Sequence, residues 1–223
     1  MPDLTNRSDF ENRLAKLFGK EFQTELNEIL ASMGENPDYN SLPAGYWEEL
    51  QKRIIQFASP ALLETYLASA EQLMGTITIG ADWALVNQNA INWVQKYGFD
   101  LVRGITDTTQ GVLRSALEAY YRDGLDLQGL TDFLTPTFGP VRAEMIAITE
   151  TTRAGVEGER GLVAMIERDN QNIKMLPIWQ TANDDRVCPI CGPRHGQYIT
   201  DGMFPPAHPR CRCWTNWEMT VIK

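Results

Sequence analysis

Residues 184–213 read Asp184-Asp185-Arg186-Val187-Cys188-Pro189-Ile190-Cys191-Gly192-Pro193-Arg194-His195-Gly196-Gln197-Tyr198-Ile199-Thr200-Asp201-Gly202-Met203-Phe204-Pro205-Pro206-Ala207-His208-Pro209-Arg210-Cys211-Arg212-Cys213, and they hold all four cysteines and both histidines of a 223-residue chain. No ordinary hydrophobic core requires that clustering. Cys188-Pro189-Ile190-Cys191 is a C-x-x-C turn whose two thiolates reach one tetrahedral ion, and the second ligand group, His208-Pro209-Arg210-Cys211-Arg212-Cys213, follows after a loop. The spacing therefore predicts a structural Zn2+ site. Cys188 and Cys191 form the firm pair. His208, Cys211 and Cys213 compete for the other two positions, giving either three cysteines with one histidine or a site of cysteines alone, and spacing leaves that choice open. His195, inside the intervening loop, is the weaker candidate.

Disulfides or inert buried thiols are the alternatives to metal. The first residues, Met1 to Arg7, are polar and lack a basic patch followed by an apolar core, so the expectation is a reducing cytosol in which paired thiols serve metal binding. A thioredoxin-type role fits poorly, because this C-x-x-C lies in turn-forming sequence rather than between a strand and a helix. A catalytic zinc keeps an open position for water, whereas this cluster fills four from its own residues. A histidine-metal nuclease needs a helix after the hairpin, and only Trp214 to Lys223 remain, with strand-like composition. No catalytic residue is assigned.

Outward from this tail the chain is helical. Phe10, Leu14, Leu17, Phe18, Phe22, Leu26 and Ile29 recur at three- and four-residue steps, predicting a helix from Ser8 to about Leu30, capped by Ser8 or Asp9. A second helix runs from Trp47 to Ser59, and a third restarts at Ala61 with Pro60 in its first turn. A short extended connector, Gly75–Gly80, leads to a helix from Trp83 to Tyr97 closed by Gly98. Further helices run from near Asp107 to Asp123, from the Asp126 cap to Leu134, and from Val141 to Arg168. The predicted fold is mainly α with a small C-terminal β-rich, zinc-stapled subdomain, in three regions: 1–75 helical, 80–178 helical body, and 179–223 metal-binding tail.

The net charge of -9 sits almost wholly outside the tail, where Arg186, Arg194, Arg210, Arg212 and Lys223 face Asp184, Asp185, Asp201 and Glu218. An acidic body repels phosphate, so DNA contact is expected to be weak and confined to the tail arginines, which equally serve to offset thiolate charge. No stretch is apolar enough to span a membrane. Trp179, Trp214 and Trp217 flank the ligands and are expected to cover the site. Glu150, with Arg153 three residues on, reads as a helix ion pair, or as a buried carboxylate fixing the long helix to the tail.

Taken together, Trp179, Thr181, Asp184-Asp185-Arg186-Val187-Cys188-x-x-Cys191, Gly196, Pro205-Pro206 and His208-Pro209-x-Cys211-Arg212-Cys213 resemble the C-terminal signature of the phage head morphogenesis family, the Mu F-like minor head proteins. Ile146 to Ala154 looks like that family's helix around an Ala-x-Thr-Glu core, and Trp83 to Tyr121 is similar to its preceding helices. The resemblance spans roughly residues 80–217. The family commonly has Arg before Thr-Glu, where this chain has Ile148. The resemblance implies a minor head protein of a tailed phage, portal-associated, with a structural role in head morphogenesis that can extend to DNA packaging or ejection, and not an enzyme; the alternative readings are a zinc-dependent nuclease or a DNA-binding accessory protein. Its partners would be the portal and other head proteins, without a membrane, and its location the host cytoplasm during assembly and then the virion. The sequence leaves its oligomeric state open.

Overall fold

The computed structural model describes residues 3–222; Met1 and Pro2, which begin the first expected region, and Lys223, which ends the last, lie outside the described residues. Among the described residues, five α-helices precede one antiparallel pair of strands: α1 Arg7–Met33, α2 Tyr46–Met74, α3 Trp83–Asp123, α4 Leu127–Leu134, α5 Pro140–Asp169, β1 Ile173–Gln180 and β2 Trp214–Val221. The chain is mainly α with a small C-terminal sheet, as the periodicity predicts. No helix among the described residues is long and apolar enough to cross a membrane.

Three boundaries differ from the sequence reading, each for a local reason. Helix α1 begins at Arg7, so Ser8 and Asp9 lie inside its first turn; Asn6, with φ 58, makes the entry and its carbonyl accepts from the N–H of Asp9 at 2.9 Å. Pro60 does not divide α2, which runs through it. A proline forfeits one ladder bond, but Ala58 and Leu62 on either side are buried, and continuing the helix keeps both in place. Gly98 is likewise interior to α3 rather than a stop. A Cβ there would make an ordinary contact with Oγ of Ser59 at 3.4 Å, and Gly98 is not among the glycines at positive φ, so it forms no left-handed cap. The true helix ends carry glycine at positive φ, Gly34 at 58 and Gly124 at 66. Asp126 caps α4 as expected, accepting from the N–H of Gly129 at 2.7 Å.

Two compact units make up the chain, and each draws on separated stretches of sequence. One comprises residues 12–59 and 95–144. Its core is Phe18, Phe22, Ile29, Leu50, Ile54, Leu113, Leu130 and Leu134, all fully buried. Arg53 ties α2 to α1 by pairing with Glu21 at 2.7 Å and Glu28 at 2.8 Å.

Within that core Glu25 is completely buried, and neither carboxylate oxygen has a hydrogen-bond partner among the described residues. The buried guanidinium of Arg142 gives its bonds to Thr109 and to the Ile105 and Thr137 carbonyls instead. Burial pushes the Glu25 carboxyl up to about 8, against the pull of Arg142. A folded pKa above the unfolded value gives stability that is present in full below about 4.5 and lost as pH rises through about 8, at about 1.4 kcal/mol per pH unit in between. Glu25→Gln is therefore expected to flatten the loss of hydrogen-exchange protection in this unit between pH 5 and pH 8.5. An unchanged slope would show that Glu25 does not carry it.

The other unit comprises residues 1–11, 60–94 and 145–223. Ala70, Leu73, Val86, Leu162, Val163, Met165, Ile166 and Met175 form its main core, with Trp217 packed against them. Strands β1 and β2 pair in register from Ile173 with Val221 to Gln180 with Trp214. On its other side β1 is held by the loop: Gly196 donates to the Trp179 carbonyl at 2.8 Å and Ile199 to the Pro177 carbonyl at 2.8 Å. Gly196 does this at φ 73, a conformation that glycine adopts without strain.

Candidate metal centre

The loop between the strands returns both ligand segments to one place beside Trp179, which is fully buried with Cys191, Cys211 and Cys213 in a second small core. The first segment is a tight turn: the Cys188 carbonyl accepts from Cys191 at 3.1 Å and from Gly192 at 2.9 Å, and the Cys191 N–H lies 3.4 Å from the Cys188 sulfur. The second repeats the device, with Cys211 donating to the His208 carbonyl at 3.2 Å. Arg210 between them sits at φ 62, which tightens that turn, and its N–H is secured by Oγ1 of Thr149 at 2.9 Å.

Two groups of ligand atoms result, each within 4.8 Å: Cys188 with Cys191 and His208, and Cys191 with Cys211 and Cys213. All five predicted ligands are thus brought together, and Cys191 belongs to both groups. Nε2 of His208 stands 3.0 Å from the Cys188 sulfur and 3.3 Å from that of Cys191, while the Cys191 and Cys211 sulfurs are 3.8 Å apart. Nδ1 of His208 is 2.7 Å from the Pro209 carbonyl, an acceptor that places the ring proton on Nδ1 and leaves Nε2 as a lone pair facing the sulfurs. His195 joins neither group; its Nδ1 accepts from the N–H of Thr181 at 3.1 Å.

A cavity of about 20 Å³ lies against Cys188, Cys191, His208 and Cys213. The bare thiols share their protons unevenly. Hydrogen bonding from Cys213 takes Cys211 down to about 5, while burial and the Cys211 charge push Cys191 up to about 12. Hydrogen bonding to Cys211 and burial raise Cys213 as well. So compact a set holds several thiolates at once only beside a cation, and this cluster can hold a metal ion.

The surroundings partly follow the sequence reading. Trp179 covers the sulfurs, but Trp217 does not: it packs on the main core, stacks on Phe204 and donates to Glu159 at 3.0 Å. Glu150 pairs with Arg153 at 3.4 Å and is buried. The residues fastening α5 to the ligand loop are Thr149 and Thr152, the latter donating to the Cys211 carbonyl at 2.6 Å. Arg7 completes the join by donating to Thr152 and to the Arg212 carbonyl at 3.3 Å, while Asp3 and Glu11 neutralise it. Glu159, 4% exposed, accepts from Ser69, Thr215 and Trp217, and burial pushes it up to about 7. Sequence reasoning missed Arg7 and Glu159, whose partners are distant in the chain. Of the tail arginines, Arg212 grips Asp184 through both carboxylate oxygens at 2.8 and 2.9 Å, and Arg194 pairs with Asp201 at 2.8 Å and lies over the Trp179 ring.

The family described as phage Mu protein F like protein matches residues 105–216, from the middle of α3 through α5 to both ligand turns. The chain belongs to that family. No curated protein and no solved structure matches it. In this member of the Mu F-like family the matched stretch ends on β2, three residues past Cys213.

Proposed function

We propose that this chain is a minor head protein of a tailed bacteriophage with a structural role in head morphogenesis, incorporated at or near the portal, and that its 179–223 tail is stapled by one Zn2+. The observation that carries the reading is the family match, whose extent takes in the 80–178 helical body from residue 105 and the ligand-bearing tail. Thiolate and imidazole donors around a small buried space suit zinc better than a hard, oxygen-seeking cation. Bound there, zinc would neutralise the thiolates and cross-link two turns that have little apolar area of their own, supplying folding free energy rather than chemistry on a substrate. Arg194 and Arg212 are occupied by Asp201 and Asp184, which supports charge balance over phosphate contact as their role. Any contact with packaged DNA is then weak. Assembly would take place in the host cytoplasm and the product would reside in the virion head.

The test is assembly with and without this chain, with metal content measured on the purified protein. The expected results are about one zinc per chain, co-sedimentation with the portal oligomer, and particles that form without the chain yet are not infectious. Failure to associate with portal or head proteins, or full infectivity in its absence, would overturn the head-protein reading.

A further inference from the structure

We infer that Cys188, Cys191, His208 and Cys211 form the coordination sphere, and that Cys213 is not a ligand but a positioning thiol behind Cys211. This rests on the zinc reading above and resolves the choice that spacing leaves open.

Four observations carry it. The two turns are alike: C-x-x-C and H-x-x-C, each closed by a bond from the second ligand's N–H to the first ligand's carbonyl, at 3.1 Å and 3.2 Å. Two matched turns offer two ligands each, and Cys213 lies outside both. Three edges of this set are short, and because the two ligand groups share only Cys191, ion binding must also draw Cys211 toward Cys188 and His208. Zinc bonds of about 2.3 Å to sulfur and about 2.0–2.1 Å to nitrogen give tetrahedral edges of roughly 3.8 Å between sulfurs and roughly 3.5 Å between nitrogen and sulfur. Cys191 and Cys211 stand at 3.8 Å, and His208 lies 3.0 and 3.3 Å from Cys188 and Cys191, so a small outward movement of the ring completes those edges. The His208 tautomer is fixed by the Pro209 carbonyl, so Nε2 is prepared as a donor atom.

The fourth observation separates Cys211 from Cys213. Cys211 is held on both sides of its side chain, its N–H by His208 and its carbonyl by the hydroxyl of Thr152, which Arg7 backs in turn. A ligand so fixed loses little entropy on binding. Cys213 immediately precedes β2 and lines two small cavities, the one beside Cys188, Cys191 and His208 and the one shared with Arg7, Thr152 and Glu159 on the α5 side. From there its S–H can donate to the Cys211 sulfur and lessen the charge on a bound thiolate.

Cobalt(II) titration of the full chain tests the assignment, because thiolate and imidazole ligands give different band positions. Wild-type protein is expected to bind one cobalt with a three-sulfur, one-nitrogen spectrum. Cys213→Ala should keep that spectrum and stoichiometry with an affinity lower by about tenfold, the scale of losing a hydrogen bond to a ligand; Cys213→Ser, which keeps a donor, should lose less. His208→Cys retains four ligands and so guards against unfolding; its bands should move to longer wavelength. Unmoved bands in His208→Cys, or lost sulfur-to-cobalt intensity in Cys213→Ala, would overturn the assignment in favour of a site of four cysteines. A wild-type chain that binds no cobalt and holds no zinc would sink the metal reading itself.

Discussion

Cys191→Ser is expected to abolish metal binding and to leave the ligand loop without fixed structure while the unit of residues 12–59 and 95–144 stays folded. Cys191 is the one side chain common to both ligand groups, so the site cannot close without it, whether its fourth ligand is a histidine or another cysteine. Its loss also removes the sulfur that packs on Trp179 and leaves a hydroxyl in a core only 2% exposed. Structural zinc contributes about 10–16 kcal/mol of apparent binding free energy in small domains, far more than the few apolar contacts of residues 181–213 can replace. The effect should spread to α5, where Thr149 and Thr152 lose the Arg210 and Cys211 partners that occupy them. Metal analysis combined with hydrogen exchange at Trp179, Gly196 and Ile199 gives the measurement. One zinc per chain in Cys191→Ser, or unchanged protection at those amides, would refute the account.

The tail was legible in the sequence because its chemistry is local. C-x-x-C and H-x-x-C are short turns, and the residues that make them also decide which sulfurs meet. Helices with strong periodicity were legible for the same reason, and glycine at a positive φ marked the ends at Gly34 and Gly124. Pro60 and Gly98 misled because a breaking residue is weighed against burial on both sides, and burial is a property of the folded chain. Strand β1 was not read from the sequence: Pro177 lies inside it, and it holds its place by pairing with β2 on one side and by isolated bonds with residues 196–199 on the other. Arg7 and Glu159 carried no sequence signal at all. Their partners lie 145 residues away at Thr152 and 56 residues away at Thr215, separations that no motif records. Trp217 shows the same limit from the other direction, since proximity in sequence to Cys213 placed it on the wrong core.

Gly158→Ala should destabilise the unit of residues 1–11, 60–94 and 145–223 by about 3 kcal/mol, the upper end of what overpacking typically costs, because the contact is backbone to backbone. Helix propensity alone gives the opposite sign, because alanine is better than glycine inside a helix by about 1 kcal/mol. The structure decides between the two effects. A Cβ at Gly158 would stand well inside van der Waals contact with the carbonyl oxygen of Tyr66 and 3.1 Å from its Cα, so α5 and α2 touch backbone to backbone. Neither backbone can move aside without moving its helix. Glu159, the next residue, would then be carried away from Ser69 on α2 and from Thr215 and Trp217 on β2, leaving a buried carboxylate short of donors. Gly161 is the internal control. A Cβ there meets the hydroxyl end of the Tyr66 ring, a side chain rather than a backbone, so Gly161→Ala should cost less than Gly158→Ala. Chemical denaturation of the two variants side by side provides the comparison. Equal effects, or a Gly158→Ala chain as stable as wild type, would mean that the two helices are not in backbone contact at this point.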